Sequence, residues 1–342
     1  MVLFLFRLPG RFGDWCDAIT MRIAEAALGL VAGISPVTPE ELATALINPH
    51  APNLLVNGDQ PGAWLRRMLL STHKPFVLAL DEPETTVSEL ASRYGLAVSD
   101  ATRRVGCSCA SIVPCLRLPG VLVLRADRHW HEPLLTAGEM ARHLGIAIDP
   151  GEIERIVTEV AAAGLGPEAS DAGQLDEPGL AVVKGALSAY SDHFSGASLD
   201  RITWARELFM IDGQQPATEA VDVTGRVRAL IYGPYISLPP GNWLAEVVLG
   251  FSQEATDVNF VVDVLSAGSQ LSVTSIRPPE RGVFPIDLSF TIGEENDRPV
   301  EFRVVNERAA FDGRVMLGHV TLSLQHDRSN AAIELLKTEL GI

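Results

Sequence analysis

The spacing of apolar residues changes part-way along this chain of 342 residues, and the change constrains its fold more than any other feature. In the first half, short apolar runs alternate with stretches in which apolar residues recur every three or four positions. That alternation predicts an α/β domain with a largely parallel sheet. Beyond residue 200, apolar and polar residues alternate with a period of two and no helical stretch intervenes, which predicts an all-β sandwich of jelly-roll type.

The elements of the first half follow from these periodicities. The predicted strands are residues 2–6, 54–56, 74–80 and 120–126. The predicted helices are residues 14–31, 42–47, 61–70, 87–95, a helix that starts at Ser99, 136–146 and 149–164. The continuous apolar character of the strands is typical of a parallel sheet that helices cover on both faces.

A segment rich in glycine, proline and acidic residues follows at 166–182, which predicts a linker with a short helix after it at 183–194. The predicted strands of the second half are residues 243–251, 258–265, 284–292, 300–305 and 315–324, and a helix is predicted at 329–340. The predicted organisation is an α/β domain over 1–165, a linker with a short helix over 166–199, a β-sandwich over 200–326 and a C-terminal helix over 327–342.

The composition argues against several classes of protein. A hydrophobic fraction of 47% and a charged fraction of 20% are ordinary for a globular protein, which argues against widespread disorder. The net charge of −16, without any block rich in Lys or Arg, argues against nucleic acid and anionic membranes as partners. No apolar run reaches the roughly 20 residues of a membrane span, and the first run lacks the basic flank and cleavage site of an export signal.

The four cysteines all lie in the first half, at Cys16, Cys107, Cys109 and Cys115. The spacing of the last three matches no common zinc pattern and no fourth ligand is close in sequence, so no metal site is predicted. Without an export signal, the cysteines are expected to be small buried thiols in a cytoplasmic protein.

The first apolar run leads into a glycine-containing turn, residues 8–13 (LPGRFG), and then into a helix. Many proteins hold a phosphate with this order of strand, turn and helix, because the free amides of a helix N-terminus attract an anion. Such loops usually carry Ser or Thr where this one carries Asp14 and Trp15. A carboxylate at this position caps the helix and takes the place of the phosphate. The turn is therefore predicted to be the remnant of a nucleotide site, with Asp14 as the helix cap.

The order of elements over 1–165 resembles the nucleotide-dependent sulfotransferases, a branch of the P-loop fold. The clearest match is the run Leu144-Gly145-Ile146, preceded by a strand and Arg125-Ala126-Asp127. The resemblance implies a sulfotransferase-like α/β domain. For an active member it also implies a donor, adenosine 3′-phosphate 5′-phosphosulfate.

The family's phosphate motifs are only partly present in this chain. Its 5′-phosphate loop, roughly Arg-Ser-Gly-Thr-Thr, reads RFGDW here, so the resemblance places Arg11, Gly13 and Asp14 in the cofactor loop. Its second signature, Arg-Asp-Pro with a later Ser, reads Asp81-Glu82-Pro83 followed by Ser88. Two carboxylates in place of two phosphate-binding groups would repel the donor. No cofactor is therefore expected, and an active enzyme anchored by Arg11 and Ser88 is the alternative.

Three residues are weak candidates for a catalytic acid or base, because each follows a predicted strand at the edge where α/β sheets bind ligands. Asp59 follows the segment 54–56, and His129 and His131 follow the strand 120–126. The alternative for each of them is a polar turn or loop residue.

The most distinctive stretch of the second half, residues 230–252, reads LIYGPYISLPPGNWLAEVVLGFS. With residues 202–209 and the later segments NER and FDG, it resembles carbohydrate-binding-like β-sandwiches of bacterial glycan-assembly proteins. The resemblance implies a saccharide or polysaccharide partner, because aromatic faces stack on sugars and planar polar groups bind hydroxyls. The candidate carbohydrate-binding residues are Trp204, Arg206, Tyr235, Trp243 and Arg308. The alternative is that the aromatic residues plug one end of the sandwich or form a subunit contact.

Together these features predict a glycan-recognising protein with a degenerate sulfotransferase-like domain, acting in bacterial surface-polysaccharide assembly or modification. One alternative is an active sulfotransferase, or related group transferase, that uses a nucleotide donor on a saccharide acceptor. The other is a non-catalytic scaffold that binds proteins. The oligomeric state is open, with a homo-oligomer among the alternatives.

Overall fold

The structure, a computed structural model, describes residues 1–48, 50, 52–166, 173 and 175–325. The helix predicted at 329–340 lies outside the described residues, and so does much of the predicted linker. Within the part of the chain that is described, no helix is long and apolar enough to cross a membrane.

The first half is an α/β domain, as predicted. Its strands are β1 (Val2–Arg7), β2 (Val31–Ile34), β3 (Asn53–Gly58), β4 (Phe76–Leu80) and β5 (Val121–Arg125). All of them are parallel, in the order β2-β3-β1-β4-β5. Its helices are α1 (Arg11–Leu28), α2 (Pro39–Leu46), α3 (Ala63–Thr72), α4 (Pro83–Tyr94), α5 (Val98–Ile112), α6 (Ala126–His129), α7 (Pro133–His143) and α8 (Pro150–Val160).

Both faces of this sheet are covered, which explains the continuous apolar runs of its central strands. On β1, Phe4 and Phe6 belong to one buried apolar cluster, while Leu3 and Leu5 belong to another on the opposite face. The strand β2 is missing from the sequence-based prediction, which extended the first helix to residue 31. In the structure α1 ends at Leu28, and Gly29 follows with a positive φ of 79°.

A single long helix, α9 (Glu177–Phe194), connects the two halves. It begins six residues before the predicted short helix, because the Asp176 side chain caps it by accepting the Gly179 N–H. The helix packs against α4, α5 and the first strand of the sandwich. Gly185 permits this approach, since a Cβ at that position would lie 2.9 Å from the Thr203 carbonyl oxygen.

The second half is an all-β sandwich, as predicted. Its strands are β6 (Arg201–Ala205), β7 (Met210–Ile211), β8 (Gln215–Pro216), β9 (Val221–Asp222), β10 (Ala229–Ile236), β11 (Gly241–Phe251), β12 (Phe260–Ser266), β13 (Ser269–Ile276), β14 (Gly282–Ile292), β15 (Val300–Asn306) and β16 (Arg314–Gln325). One sheet has the order β13-β12-β15-β10-β7-β8, and we call it the tyrosine sheet because Tyr232 and Tyr235 lie on it. The other sheet has the order β14-β11-β16-β6, with β9 beside β16.

The two halves share one apolar core, because a single cluster of buried side chains runs from the parallel sheet through α5 and α9 into the sandwich. Helix α5 also packs closely against β10. A Cβ on Gly106 would lie 2.9 Å from the Ile236 side chain, so the helix can sit on this strand only with glycine at that position.

A buried arginine adds a polar connection beside this core. Arg66 on α3 is 7% exposed and donates to the carbonyl oxygens of Pro61 and Glu294 at 2.9 and 3.0 Å. The same guanidinium lies 2.9 Å from Asp297, in the loop between β14 and β15. Asp297 in turn accepts the Ala63 N–H, in the first turn of α3. The sandwich loop thus caps a helix of the α/β domain and fixes the distance between the two halves.

Replacing this arginine is expected to cost stability. Arg66→Ala removes the ion-pair partner of Asp297 and the side-chain donor to the Glu294 carbonyl group. Asp297 keeps the Ala63 N–H and the Pro61 carbonyl keeps the Ser111 hydroxyl, so we expect a loss of about 2 kcal/mol in the free energy of unfolding. Arg67→Ala is the matched control, since its partner Glu295 lies in the same loop but both side chains are about 60% exposed. The control should lose less than about 1 kcal/mol in urea titrations. Equal losses in the two variants would contradict the role given to Arg66.

Candidate functional site

The parallel sheet has a point where a ligand is expected. The chain leaves β1 toward β2 on one side and leaves β4 toward β5 on the other, so a crevice opens at the carboxyl ends of β1 and β4. Ligands of open α/β sheets bind at such points. The turn predicted to be a nucleotide remnant, residues 8–13, and the segment that begins at Asp81 both lie there.

The N-terminus of α1 already holds a carboxylate, and it is that of Glu89. Helix α1 begins at Arg11, and its backbone N–H donates to Glu89 Oε2 at 2.8 Å. A Cβ on Gly10 would lie 3.1 Å from the same oxygen. Glu89 is buried on α4, and burial raises the pKa of its carboxyl. One amide of the helix N-terminus, a kind of group that can bind an anion, is therefore occupied by a side chain of the protein itself.

Asp14 is not the cap of α1, so that part of the sequence-based prediction is wrong. The helix begins three residues earlier, and its N-cap Gly10 makes no side-chain hydrogen bond. Asp14 lies in the first turn and binds two arginines, Arg7 at 3.1 Å and Arg93 at 2.8 Å. The carboxylate that binds an amide of the helix N-terminus is that of Glu89, which is distant in sequence.

The other residues that were predicted to bind the cofactor make structural contacts within the chain. The Arg11 guanidinium is buried and donates to the carbonyl oxygens of Gly164 and Gly166, away from the crevice. A Cβ on Gly13 would lie 2.4 Å from the Leu8 carbonyl oxygen, so only glycine allows the turn to close. The Ser88 hydroxyl donates to the Gly173 carbonyl oxygen. Arg11, Asp14 and Ser88 thus all bind groups of the chain.

A second carboxylate makes the crevice more acidic. Asp81 follows β4 and accepts the Glu82 N–H at 2.7 Å, while its other oxygen is buried without a partner among the described residues. Burial raises the pKa of Asp81 to about 7, and the nearby acids Glu89, Glu82 and Asp127 also raise it. A cavity of about 190 Å³ adjoins it, bounded by Arg125 and Asp127. Above neutral pH, an anionic ligand would meet negative charge here.

Between pH 3.8 and about 7, Asp81 is protonated in the folded state but has lost its proton in the unfolded chain. Stability should therefore fall as pH rises through this interval. Asp81→Asn removes the penalty, so it should be more stable than the wild type at pH 8 by up to a few kcal/mol and nearly equal at pH 4. Asp257→Asn, at an exposed aspartate paired with Arg277, is the control. Equal pH profiles for the wild type and Asp81→Asn would contradict the assignment.

The predicted catalytic candidates do not converge. His129 Nδ1 accepts the Arg125 N–H at 2.9 Å, which is a structural contact within the short helix α6, and His131 is exposed. No group of three or more His, Cys, Asp or Glu residues in the described ranges is arranged to hold a metal ion. The four cysteines are buried and unpaired, and burial raises the pKa of each thiol.

Asp59, in contrast, lines a large cleft between the two halves of the protein. The cleft has a volume of about 730 Å³ and lies at the carboxyl ends of β2 and β3. The α/β domain contributes Ser35, Asn57, Asp59, Gln60, Trp64 and Arg104, and the sandwich contributes Ser237, Asn296, Asp297 and Arg298. Most of these side chains are planar and polar, and they come from five separate segments. Local sequence patterns contain no signal for such a site.

The charges of this cleft are largely paired. Arg104 binds Asp59 through two nitrogens at 3.2 and 3.3 Å, and the buried Arg66 pairs with Asp297. The Gln60 amide and the Arg298 guanidinium have no partner among the described side and main chains. The cleft therefore offers hydrogen-bonding groups with little net charge.

A chain of hydrogen bonds holds the floor of the cleft. The Ser35 hydroxyl donates to Asn57 Oδ1 at 3.0 Å, and the Asn57 amide donates to both oxygens of Asp17 at 2.7 and 2.8 Å. Asp17 lies 3.6 Å from Arg7 in the crevice. Residues at the carboxyl ends of β1, β2 and β3 are thus fixed relative to one another.

Two of the predicted sugar-binding residues are buried, which corrects their assignment. Trp204 and Trp243 are each 1% exposed. The Trp204 ring packs edge-on against Phe302 with centroids 5.9 Å apart, and Trp243 Nε1 donates to the Pro239 carbonyl oxygen at 3.0 Å. Both lie at inward positions of their strands and cannot stack on a ligand, so the alternative of a packing role is the correct one.

The other three predicted residues reach the surface in different places. Tyr235 is 36% exposed, near the end of β10, and its hydroxyl donates to Glu301 at 2.8 Å. Arg308 is exposed and follows the end of β15, and this end of the strand pairs with the start of β10. Arg206 follows β6 and pairs with Glu207. Tyr235 and Arg308 therefore lie at opposite ends of the tyrosine sheet.

No protein-family model matches this chain, and no curated protein matches it in sequence. The crystal structure of the mouse sulfotransferase SULT7A1 complexed with PAP is 12% identical, over 57% of this chain and 79% of that one, with a TM-score of 0.37. A family 16 carbohydrate-binding module is 12% identical over 33% of this chain and 82% of its own, with a TM-score of 0.24.

The CBM36-1 domain of a xylanase from the hindgut metagenome of Trinervitermes trinervoides is 8% identical, over 37% of this chain and 99% of its own, with a TM-score of 0.26. Every one of these TM-scores is below 0.5. The similarities therefore carry no residue, ligand or activity to this chain, whose site is described by its own geometry.

Proposed function

We propose that this chain binds a saccharide in the cleft between its two halves, and that its α/β domain serves as a scaffold for that cleft without holding a nucleotide. The observation that carries the proposal is the cleft itself, which has a volume of about 730 Å³ and is lined by planar polar side chains together with apolar ones. Clefts of this size at domain interfaces and at the carboxyl ends of parallel strands are the usual places for small ligands.

The chemistry of the lining favours a ligand with many hydroxyl groups. A sugar hydroxyl both donates and accepts, so it needs carboxylates, amides and guanidinium groups at close spacing. Asp59, Gln60, Asn296 and Arg298 supply them, and Trp64 adds an aromatic side chain. Because Asp59 and Arg104 neutralise each other, the cleft favours a neutral saccharide over a strongly charged one.

The occupied N-terminus of α1 argues against the alternative of an active sulfotransferase. The amide that would bind a phosphate already donates to Glu89, and Asp81 adds a second carboxylate. Within this proposal the chain recognises a saccharide during bacterial surface-polysaccharide assembly or modification, in the cytoplasm, and uses no adenosine 3′-phosphate 5′-phosphosulfate.

The saccharide proposal is tested on a glycan array printed with neutral and acidic glycans, with the full chain as probe. We expect binding to neutral glycans, and a loss of about tenfold or more in affinity for Asp59→Ala and for Gln60→Ala, since each removes hydrogen bonds to the ligand. Asp257→Asn, outside the cleft, is the control and should bind like the wild type. Absence of binding to every glycan, or binding that both cleft variants retain in full, would overturn the proposal.

The nucleotide claim is tested by thermal unfolding with adenosine 3′,5′-bisphosphate. At about 1 mM ligand we expect no rise in the Tm of the wild type, because Glu89 occupies the amide. Glu89→Ala frees that amide and should respond to the ligand, whereas Glu84→Ala, on the same helix, should not. A rise of several degrees for the wild type would show a functional nucleotide site.

A further inference from the structure

We infer that the binding surface continues from the cleft across Tyr235 onto the outer face of the tyrosine sheet, so that the ligand is a chain of several sugar units. This inference rests on the proposed function and extends it. The surface consists of Tyr232, Tyr235, Glu301 and Arg303, together with Asp263, the buried partner of Arg303, and we call it the tyrosine face.

The tyrosine face and the cleft are joined through one short segment. Ser237 lines the cleft, two residues after Tyr235. Its N–H donates to the Cys107 sulfur at 3.3 Å, and the same sulfur lies 3.7 Å from the Tyr235 carbonyl oxygen. Cys107 is itself part of the cleft wall. The backbone of Tyr235 therefore forms the border between the two surfaces.

The side chains of the face form a cross-strand row. Tyr232, Arg303 and Asp263 are paired neighbours on β10, β15 and β12, and Glu301 pairs with the residue before Tyr235. The two tyrosine rings have centroids 6.5 Å apart at an angle of 67°. Residues directly opposite in neighbouring strands project from the same face of a sheet, so these groups form one continuous strip.

The strip is held rigid by its own hydrogen bonds. Arg303 binds both oxygens of Asp263, at 3.0 and 2.6 Å, and the Tyr235 hydroxyl donates to Glu301 at 2.8 Å. The Tyr232 hydroxyl donates to the Ile211 carbonyl oxygen at 3.1 Å. The guanidinium of Arg303 is nevertheless one-third exposed. Rigid aromatic and planar groups lose little conformational entropy on binding, which suits them to stack on sugar rings and bind hydroxyls.

The backbone at Tyr235 supports a role beyond packing. Its φ of 62° lies in the left-handed region, where glycine would be unstrained. A tyrosine is held there although it is partly exposed and its ring is not part of the core. Strained backbone of this kind concentrates at ligand-binding sites.

The length of the surface sets the size of the ligand. From Ser237 to Tyr232 the chain advances by five residues, which is at most about 16 Å because β10 is irregular between Pro234 and Ile236. With the cleft added, the surface is longer than a disaccharide. The cleft is then the place where one end of the saccharide, or one segment of it, is recognised.

The test compares glycans of increasing chain length within one series, from disaccharides upward, on the full-length protein. Tyr235→Gly removes the side chain and relieves the backbone strain, so the variant should unfold at a temperature equal to or above that of the wild type. Tyr235→Phe keeps the ring and loses the bond to Glu301. Tyr94→Ala, at an exposed tyrosine on α4, is the control.

For the wild type we expect affinity to increase with chain length beyond the disaccharide. Tyr235→Gly should lose about tenfold for long chains while short ones bind as before, and Tyr235→Phe should keep most of the affinity. If the wild type and Tyr235→Gly bind with equal affinity at every chain length, the inference is overturned. The proposed function is still supported in that case if Asp59→Ala weakens binding. If Tyr235→Gly loses binding and Asp59→Ala keeps it, the saccharide binds at the tyrosine face and not in the cleft.

Discussion

The buried guanidinium of Arg66 is the contact on which the arrangement of the two halves depends. It binds main-chain carbonyls of both halves and the carboxylate that caps α3, in a setting where an unpaired charge would be very costly. The apolar core brings α5 and α9 against the sandwich without fixing where the loops stand. The contacts of Arg66 with Glu294 and Asp297 fix the position of the loop at 294–298, which forms one wall of the cleft. Residues of both halves thereby line the same cleft.

The crevice at β1 and β4 is stabilised by contacts within the chain itself. The strand, turn and helix are retained because Gly13 lets the turn pack against the helix and because the helix buries Trp15 and Cys16 in the core. Glu89 satisfies the amide that an external anion would bind. One of the free amides of the helix terminus therefore has its partner within the chain. Arg7 and Arg93, in turn, are neutralised by Asp14.

Much of the fold could be predicted from the sequence, because strands buried on both faces and strands buried on one face leave different periodicities. Several strands escaped detection, among them β2 and β13. β2 is only four residues long and contains a glycine, and β13 is an exposed edge strand rich in Ser and Thr. The alternation of buried and less buried residues along β11 places Trp243 on the inward face with Ala245 and Val247, and this could have been read from the sequence.

The site was less predictable, because it depends on residues that only the tertiary structure brings together. Glu89 lies 78 positions from the amide that it binds, and Asp59 and Asn296 meet across the two halves. Hydrogen–deuterium exchange on the full chain, with and without the glycan of highest affinity, tests the central claim most directly. If a saccharide occupies the cleft, exchange slows in both of its walls, residues 57–64 and 294–298. Protection confined to the N-terminus of α1, with neither wall affected, would contradict a saccharide site in the cleft.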